Sequence, residues 1–282
     1  MKKLAAAAAM VLCAWTLSAA TFATEMKGNW TLSPSKEAGQ VQFGMYIRNE
    51  GNNLQTTSDW PVTAFQGLDL ANRERHDVKF AIARDAGRFD CDGYLSQGEG
   101  AGFFRFTPDA RFIGNMRAIG FDGIDENKQF AMAVHDVTLD YARQMKGMNL
   151  RGLDTDKLLA FRIFDISQEF IRDLRKEGLT ATDADKLIAF RVHGVSPQMV
   201  REMRKLGLDA PEDQLIAFRV HGVTPEFVAK VEGFGYQDLE PEQLIAMRVH
   251  GVTPEFISEM KSRGLKDLSI DKLVALRVHG LN

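Results

Sequence analysis

Apolar positions recur along the second half of the chain in a nine-residue phrase. Leu187–Val195 and Leu215–Val223 both read LIAFRVHGV, Leu244–Val252 reads LIAMRVHGV, and Leu273–Leu281 reads LVALRVHGL. Weaker copies stand at Leu158–Ile166 (LLAFRIFDI) and Gln129–Val137 (QFAMAVHDV). The starts at 129, 158, 187, 215, 244 and 273 lie 28 or 29 residues apart. A fixed period of this length predicts a repeat architecture, in which each unit shelters the apolar face of the next.

A helix-start signal recurs at nearly the same interval: Thr107-Pro108-Asp109, Thr138-Leu139-Asp140, Ser167-Gln168-Glu169, Ser196-Pro197-Gln198, Thr224-Pro225-Glu226 and Thr253-Pro254-Glu255. The hydroxyl caps, proline suits the first helical position, and the acid faces the positive end of the helix dipole. Apolar residues three, four and seven positions after the cap, such as Phe227, Val228 and Val231, make one stripe. Eleven positions after it stands Gly178, Gly207, Gly235, Gly264 or Asn149, residues that tolerate the left-handed helix ending. Each unit therefore reads as an outer amphipathic helix followed by an inner helix that holds the phrase. The inner helix is apolar nearly all round except for its arginine, which predicts burial on every side. Residues 107–282 thus make an α-solenoid of six helix hairpins, each about 29 residues long.

Residues 28–106 follow a different rhythm. Val41, Phe43, Met45 and Ile47 alternate with Gln42, Gly44, Tyr46 and Arg48, the period of a half-buried strand. Val78, Phe80 and Ile82 alternate again, as do Phe89, Cys91 and Gly93. Glu50-Gly51-Asn52, Asp85-Ala86-Gly87 and Gly98-Glu99-Gly100 supply turns. Leu54–Trp60 reads as a return strand and Phe65–Arg75 as a short helix. The expectation is an antiparallel meander of roughly five to seven strands. The fold class is α+β: a small antiparallel β domain followed by the α-solenoid.

Met1–Ala23 begins with Lys2 and Lys3, continues through the apolar run Leu4–Leu17, and ends in small residues. This is the pattern of a secretory leader. It places the mature chain in the periplasm or outside the cell, with no membrane insertion after cleavage. Cys91 is then the lone cysteine, so burial alone must hold the fold. A net charge of -3 without basic stripes leaves no footprint for nucleic acid.

Two columns of polar residues run through the phrases. His135, His193, His221, His250 and His279 supply one imidazole per unit. Metal ligands must converge to about 2 Å of one ion, whereas packed helices stand about 8–10 Å apart. The histidines therefore read as helix-end residues, with a recognition surface as the alternative; no metal or cofactor is expected. Arg162, Arg191, Arg219, Arg248 and Arg277 form the second column. A guanidinium inside an apolar helix needs a partner. Helix-end carbonyls or acids of an adjoining unit would provide it, Glu169, Glu226 and Glu255 being the candidates. The alternative is a ladder of donors lining a binding face. The candidate binding surface consists of these five arginines with His193, His221, His250 and His279. Asp122, Asp125 and Glu126 read as caps of the first inner helix. His279-Gly280-Leu281-Asn282 leaves the last inner helix bare, a candidate homodimer contact.

An enzyme is not expected. Cys91, with Asp90 and His76, is the one conceivable nucleophilic set, at the junction of the β domain and the helices. Flanking carboxylates raise a thiol pKa, the wrong direction for a nucleophile. No H-E-x-x-H, G-x-S-x-G or P-loop occurs.

The LIAFRVHGVTPEF phrase resembles the repeat tails of bacterial envelope proteins, among them tails attached to BlaR-type sensor metallopeptidases. The RDAGRFDCDGYLSQGEGAGFF run is similar to segments beside such repeats. The peptidase is missing, since no zinc-binding motif and no membrane bundle accompany the repeats. The resemblance implies an extracytoplasmic sensing or partner-binding module, and as an alternative a regulatory partner of a BlaR-type membrane protease. Read from the residues alone, the function is that of a non-enzymatic binding or scaffold protein that engages a protein or envelope polymer.

Overall fold

A computed structural model describes residues 26–49 and 52–280; Met1–Ala23, expected from the sequence to be a leader, and the last two residues lie outside them. Six strands come first: β1 (Met26–Pro34), β2 (Gln40–Asn49), β3 (Asn52–Pro61), β4 (His76–Arg84), β5 (Gly87–Ser96) and β6 (Glu99–Pro108). They form one antiparallel sheet in the order β3-β2-β1-β6-β5-β4. Alternation aims Trp30, Leu32, Phe43, Met45, Phe80, Ile82, Phe89, Phe104 and Phe106 to one side, where all are buried.

The sheet curls. Phe43 on β2 and Phe80 on β4 are four strands apart, about 19 Å in a flat sheet, yet their ring centroids are 6.3 Å apart. Glycines permit the bend: a Cβ on Gly93 would stand 2.7 Å from the Trp30 indole, which donates through Nε1 to Asp92 O at 3.1 Å. The gap between β3 and β4 is filled by the segment after β3. It is not the expected short helix. One 3-10 turn at Val62–Ala64 leads to Phe65, which packs on Phe43, Trp60 and Phe80, and to Gln66, which exchanges two backbone hydrogen bonds with Ala81. Edge pairing of that kind overrides a weak helical pattern.

Twelve helices follow as six pairs: α1 (Phe112–Ile119) and α2 (Glu126–Val134), α3 (Leu139–Gly147) and α4 (Thr155–Ile163), α5 (Gln168–Lys176) and α6 (Ala184–His193), α7 (Pro197–Lys205) and α8 (Glu212–His221), α9 (Pro225–Glu232) and α10 (Pro241–Val249), α11 (Pro254–Ser262) and α12 (Ile270–Val278). Odd helices are outer and even ones inner. The expected hydroxyl caps hold at α3, α5, α7, α9 and α11, where Thr138, Ser167, Ser196, Thr224 and Thr253 each accept from the amide three residues on. The first unit differs. Thr107-Pro108-Asp109 does not cap a helix, because β6 runs through Pro108 to complete its pairing with Gly87. Asp109 instead accepts from the Arg111 amide at 2.7 Å, and α1 begins after Arg111. Asp125 caps α2, accepting from Lys128 N at 2.7 Å.

Sheet and solenoid share one core. Phe130 of α2 lies 5.7, 6.2 and 5.2 Å from the rings of Phe89, Phe104 and Phe106. Gln129 is 3% exposed and donates through Nε2 to Ala86 O at 2.7 Å and Asp109 O at 2.9 Å. Asp85 accepts from Leu139 N at 2.8 Å, and Arg84 reaches Asp136 at 3.3 Å. Among the described residues no helix is long and apolar enough to cross a membrane.

Candidate functional site

The inner helices lie side by side, and their ends are tied from unit to unit. Arg162 donates through Nε to His135 O at 3.1 Å, Arg219 to His193 O at 3.0 Å, Arg248 to His221 O at 3.4 Å and Arg277 to Gly251 O at 3.1 Å. Arg191 donates through Nη2 to Asp165 O. Each guanidinium therefore caps the negative end of the preceding inner helix. Four of the five also stack on an aromatic of their own unit's outer helix: Tyr141 at 5.1 Å, Phe170 at 4.0 Å, Phe227 at 5.0 Å and Phe256 at 4.7 Å. Carboxylates join the column at Asp136, 3.6 Å from Arg162, and at Asp165, 3.3 Å from Arg191. Glu226 and Glu255 turn back on their own helix starts. Their own backbone amides first, then the Thr224 and Thr253 hydroxyls, hold them below the usual carboxylate range.

This geometry explains the glycine that closes the phrase. Gly194, Gly222, Gly251 and Gly280 adopt φ of +74°, +72°, +71° and +76°. A Cβ at Gly194 would also stand 2.7 Å from Arg219 Nη2, and one at Gly222 2.8 Å from Arg248 Nη2. The left-handed turn favours glycine, and at Gly194 and Gly222 a Cβ would press on the arginine that crosses the seam; Asp136 and Asp165 hold the same place in the first two units.

A second column of cations was not read from the sequence. Lys146 donates to Gly120 O at 3.4 Å, Arg175 to Met148 O at 3.2 Å, and Arg204 to Glu177 O, so outer helices are joined in the same way. The signal was present: a cation stands eight positions after each outer cap, at Lys146, Arg175, Arg204 and Lys261. Glu232 breaks the series. Replacing Glu232 with Lys should place a cation over the end of α7 and stabilise the fold by about 0.3–1 kcal/mol. A chemical denaturation midpoint that does not rise would contradict this.

Acid–base pairs link the first turns of the inner helices: Lys128–Asp156 at 2.6 Å, Lys157–Asp185 at 2.7 Å and Lys186–Asp213 at 3.1 Å. Gln214 continues the ladder to Glu242 at 2.9 Å. With both ends committed to neighbours, what remains outward is the far side of the inner helices. The expectation of burial all round fails here. Leu187, Phe190, Leu215, Phe218, Leu244 and Met247 are buried, but Val192, Val220, Val249 and Val278 are 54–56% exposed. Ile163 and Phe164 occupy the equivalent places in the second unit and are also exposed. His193, His221, His250 and His279 stand beside the valines, exposed as well. Outer helices and lateral neighbours cover three sides of an inner helix, and solvent meets the fourth. His135, in the first unit, is different. Burial, and then Arg162 beside it, hold its pKa below the ordinary value.

The nine candidate residues thus divide. The arginines are engaged in the seams, whereas the histidines lie on an open row whose apolar half was not anticipated. In the last inner helix, Leu276 is only partly covered, while its counterparts Phe218 and Met247 are fully buried.

The conceivable nucleophilic set does not assemble. Cys91 points into the core, and Asp90 points to the opposite side, paired with Arg88 at 2.8 Å. His76 lies four residues along β4 from the partner of Cys91, about 13 Å away along the strand. Burial, then Asp90 and Asp92, push the Cys91 thiol far up. Among the described residues no group of three or more His, Cys, Asp or Glu is placed to hold a metal ion.

No family model, curated protein or solved structure matches the chain.

Proposed function

We propose that the protein is a non-enzymatic binding or scaffold protein of the periplasm or the extracellular space, whose inner-helix face engages a protein or envelope polymer. The observation that carries this reading is the row of half-exposed valines with histidines alongside. Single exposed apolar residues are ordinary on a protein surface, but a row repeated in the last five units, from Ile163 to Val278, marks an interaction face. The row also has a spacing. Packed helices stand about 8–10 Å apart, and an extended or polyproline-II segment advances about 9–10 Å in three residues. A partner running across the units would present one apolar group per unit.

The test is a double substitution, Val220→Asp with Val249→Asp. Both sites are exposed, so stability should change by no more than about 0.5 kcal/mol per site. A partner captured from periplasmic extract by the native protein should be lost by the variant. Equal capture by both would remove the inner-helix face as the binding surface.

A further inference from the structure

We infer that the outer face of the sheet is a binding site for an oligosaccharide, separate from the helical face. Antiparallel register sets two rows of side chains across the sheet. One runs Lys27, Arg105, Asp90, Ala81; the next runs Asn29, Phe103, Asp92, Lys79. Together with Gln66, which pairs beside Ala81, they border a hollow of about 980 Å³. A second hollow of about 700 Å³ shares the Phe103 wall and extends to Tyr94, whose ring lies 4.3 Å from the Arg75 guanidinium. The two hollows share Asn29, Lys79, Asp92 and Phe103, so they adjoin along this row.

Phe103 is 63% exposed, the most exposed large apolar side chain among the described residues. It sits on the solvent side of a central strand, where alternation calls for a polar residue. A bare ring there offers a flat apolar platform to a ligand that is itself flat and apolar on one face. Around it, donors and acceptors alternate. Lys79 stands across from Asp92, Arg88 pairs with Asp90 at 2.8 Å, and Asn29 and Gln66 supply both kinds of group.

That lining selects among ring-bearing polymers. A sugar hydroxyl both donates and accepts, so a mixed rim satisfies a chain of pyranose rings, whose C–H faces can rest on Phe103. A single-stranded nucleic acid would also stack on an aromatic, but it needs a uniformly basic track for its phosphates. Here Asp77, Asp90 and Asp92 interrupt the cations Lys27, Arg75, Lys79, Arg88 and Arg105, so the rim is a mixture of signs and not such a track. An oligosaccharide of several rings matches the volume of the two hollows and the chemistry of their walls.

The experiment measures binding of chitohexaose, cellohexaose and a hyaluronan hexasaccharide to the purified protein by calorimetry, each at millimolar concentration. A twelve-residue oligothymidylate at low salt is the control. At least one sugar should bind, and Phe103→Ala should weaken it tenfold or more, about 1.4 kcal/mol. Asp92→Asn should also weaken it, while both variants keep the thermal midpoint of the native protein because both side chains are exposed. The Val220→Asp, Val249→Asp variant should bind the sugar normally, which separates this site from the helical face. Failure of all three sugars to bind would overturn the inference, as would undiminished binding by Phe103→Ala. Tight binding of the oligothymidylate that depends on Phe103 would overturn it in favour of nucleic acid.

Discussion

Replacing Phe130 with Ala is expected to lower stability by about 3–5 kcal/mol, the range for deleting a fully buried aromatic ring. Phe130 is 2% exposed and is the one ring of the solenoid within 6.2 Å of the Phe89, Phe104 and Phe106 rings. Its loss opens a cavity at the joint, where strands on one side and α1–α3 on the other limit collapse. Two probes separate the halves. Trp30 and Trp60 both lie in the sheet, so tryptophan fluorescence of a chain starting at residue 24 reports the sheet, whereas far-ultraviolet circular dichroism is dominated by the helices. One shared core predicts coincident denaturant transitions in the native protein. The variant should unfold earlier, with the fluorescence transition preceding the helical one. A change below about 1 kcal/mol with coincident curves would show that the joint does not depend on this ring.

The second large effect is expected from Arg162→Met. Met preserves much of the aliphatic stem but removes the bond to His135 O, the approach to Asp136 and the cation over Tyr141. A hydrogen bond from a charged donor contributes about 1.5–3 kcal/mol when well shielded. The Arg162 side chain is 33% exposed, so the expected loss is reduced to about 1–2 kcal/mol. Arg162→Lys should recover little of it, because lysine has neither the Nε donor nor the planar face. Equilibrium denaturation of the two variants decides the matter. Full stability with lost partner binding would instead make the arginines a recognition ladder. The same measurement on the Val220→Asp, Val249→Asp pair supplies the contrast, since there the expectation is intact folding with altered binding.

Much of this architecture could be read before any coordinates. The 28- or 29-residue period, the hydroxyl caps and the glycine endings are local codes, and each unit spells them alone. Glycine, Asn149, Asp136 and Asp165 all take the left-handed conformation where a helix ends, with φ of +54°, +54° and +53° at the three non-glycine residues. What failed depends on neighbours. The sequence of one inner helix does not say how many of its sides a stack will cover, so Val192 and its counterparts looked like core. Of the two partners the sequence offers each arginine, the helix-end carbonyl is the one found in all five seams, and which of the two would be met depends on how adjoining hairpins stack. Thr107-Pro108-Asp109 carried the letters of a cap, yet pairing with Gly87 extended the strand through it. Phe103 is followed directly by Phe104, and adjacent rings of one strand face opposite sides, so apolar character alone does not tell which of the two is buried.

The seam between units has a genetic corollary. Every Arg-to-carbonyl clasp reaches back to the preceding hairpin and no further, so the array has no contact that counts how many hairpins there are. Duplicating or excising one block of 28 or 29 codons would regenerate the same joint at the splice. It would lengthen or shorten the row of valines by one step, leaving the sheet at the front untouched. Reach along a partner is thus a quantity that recombination can adjust in whole steps.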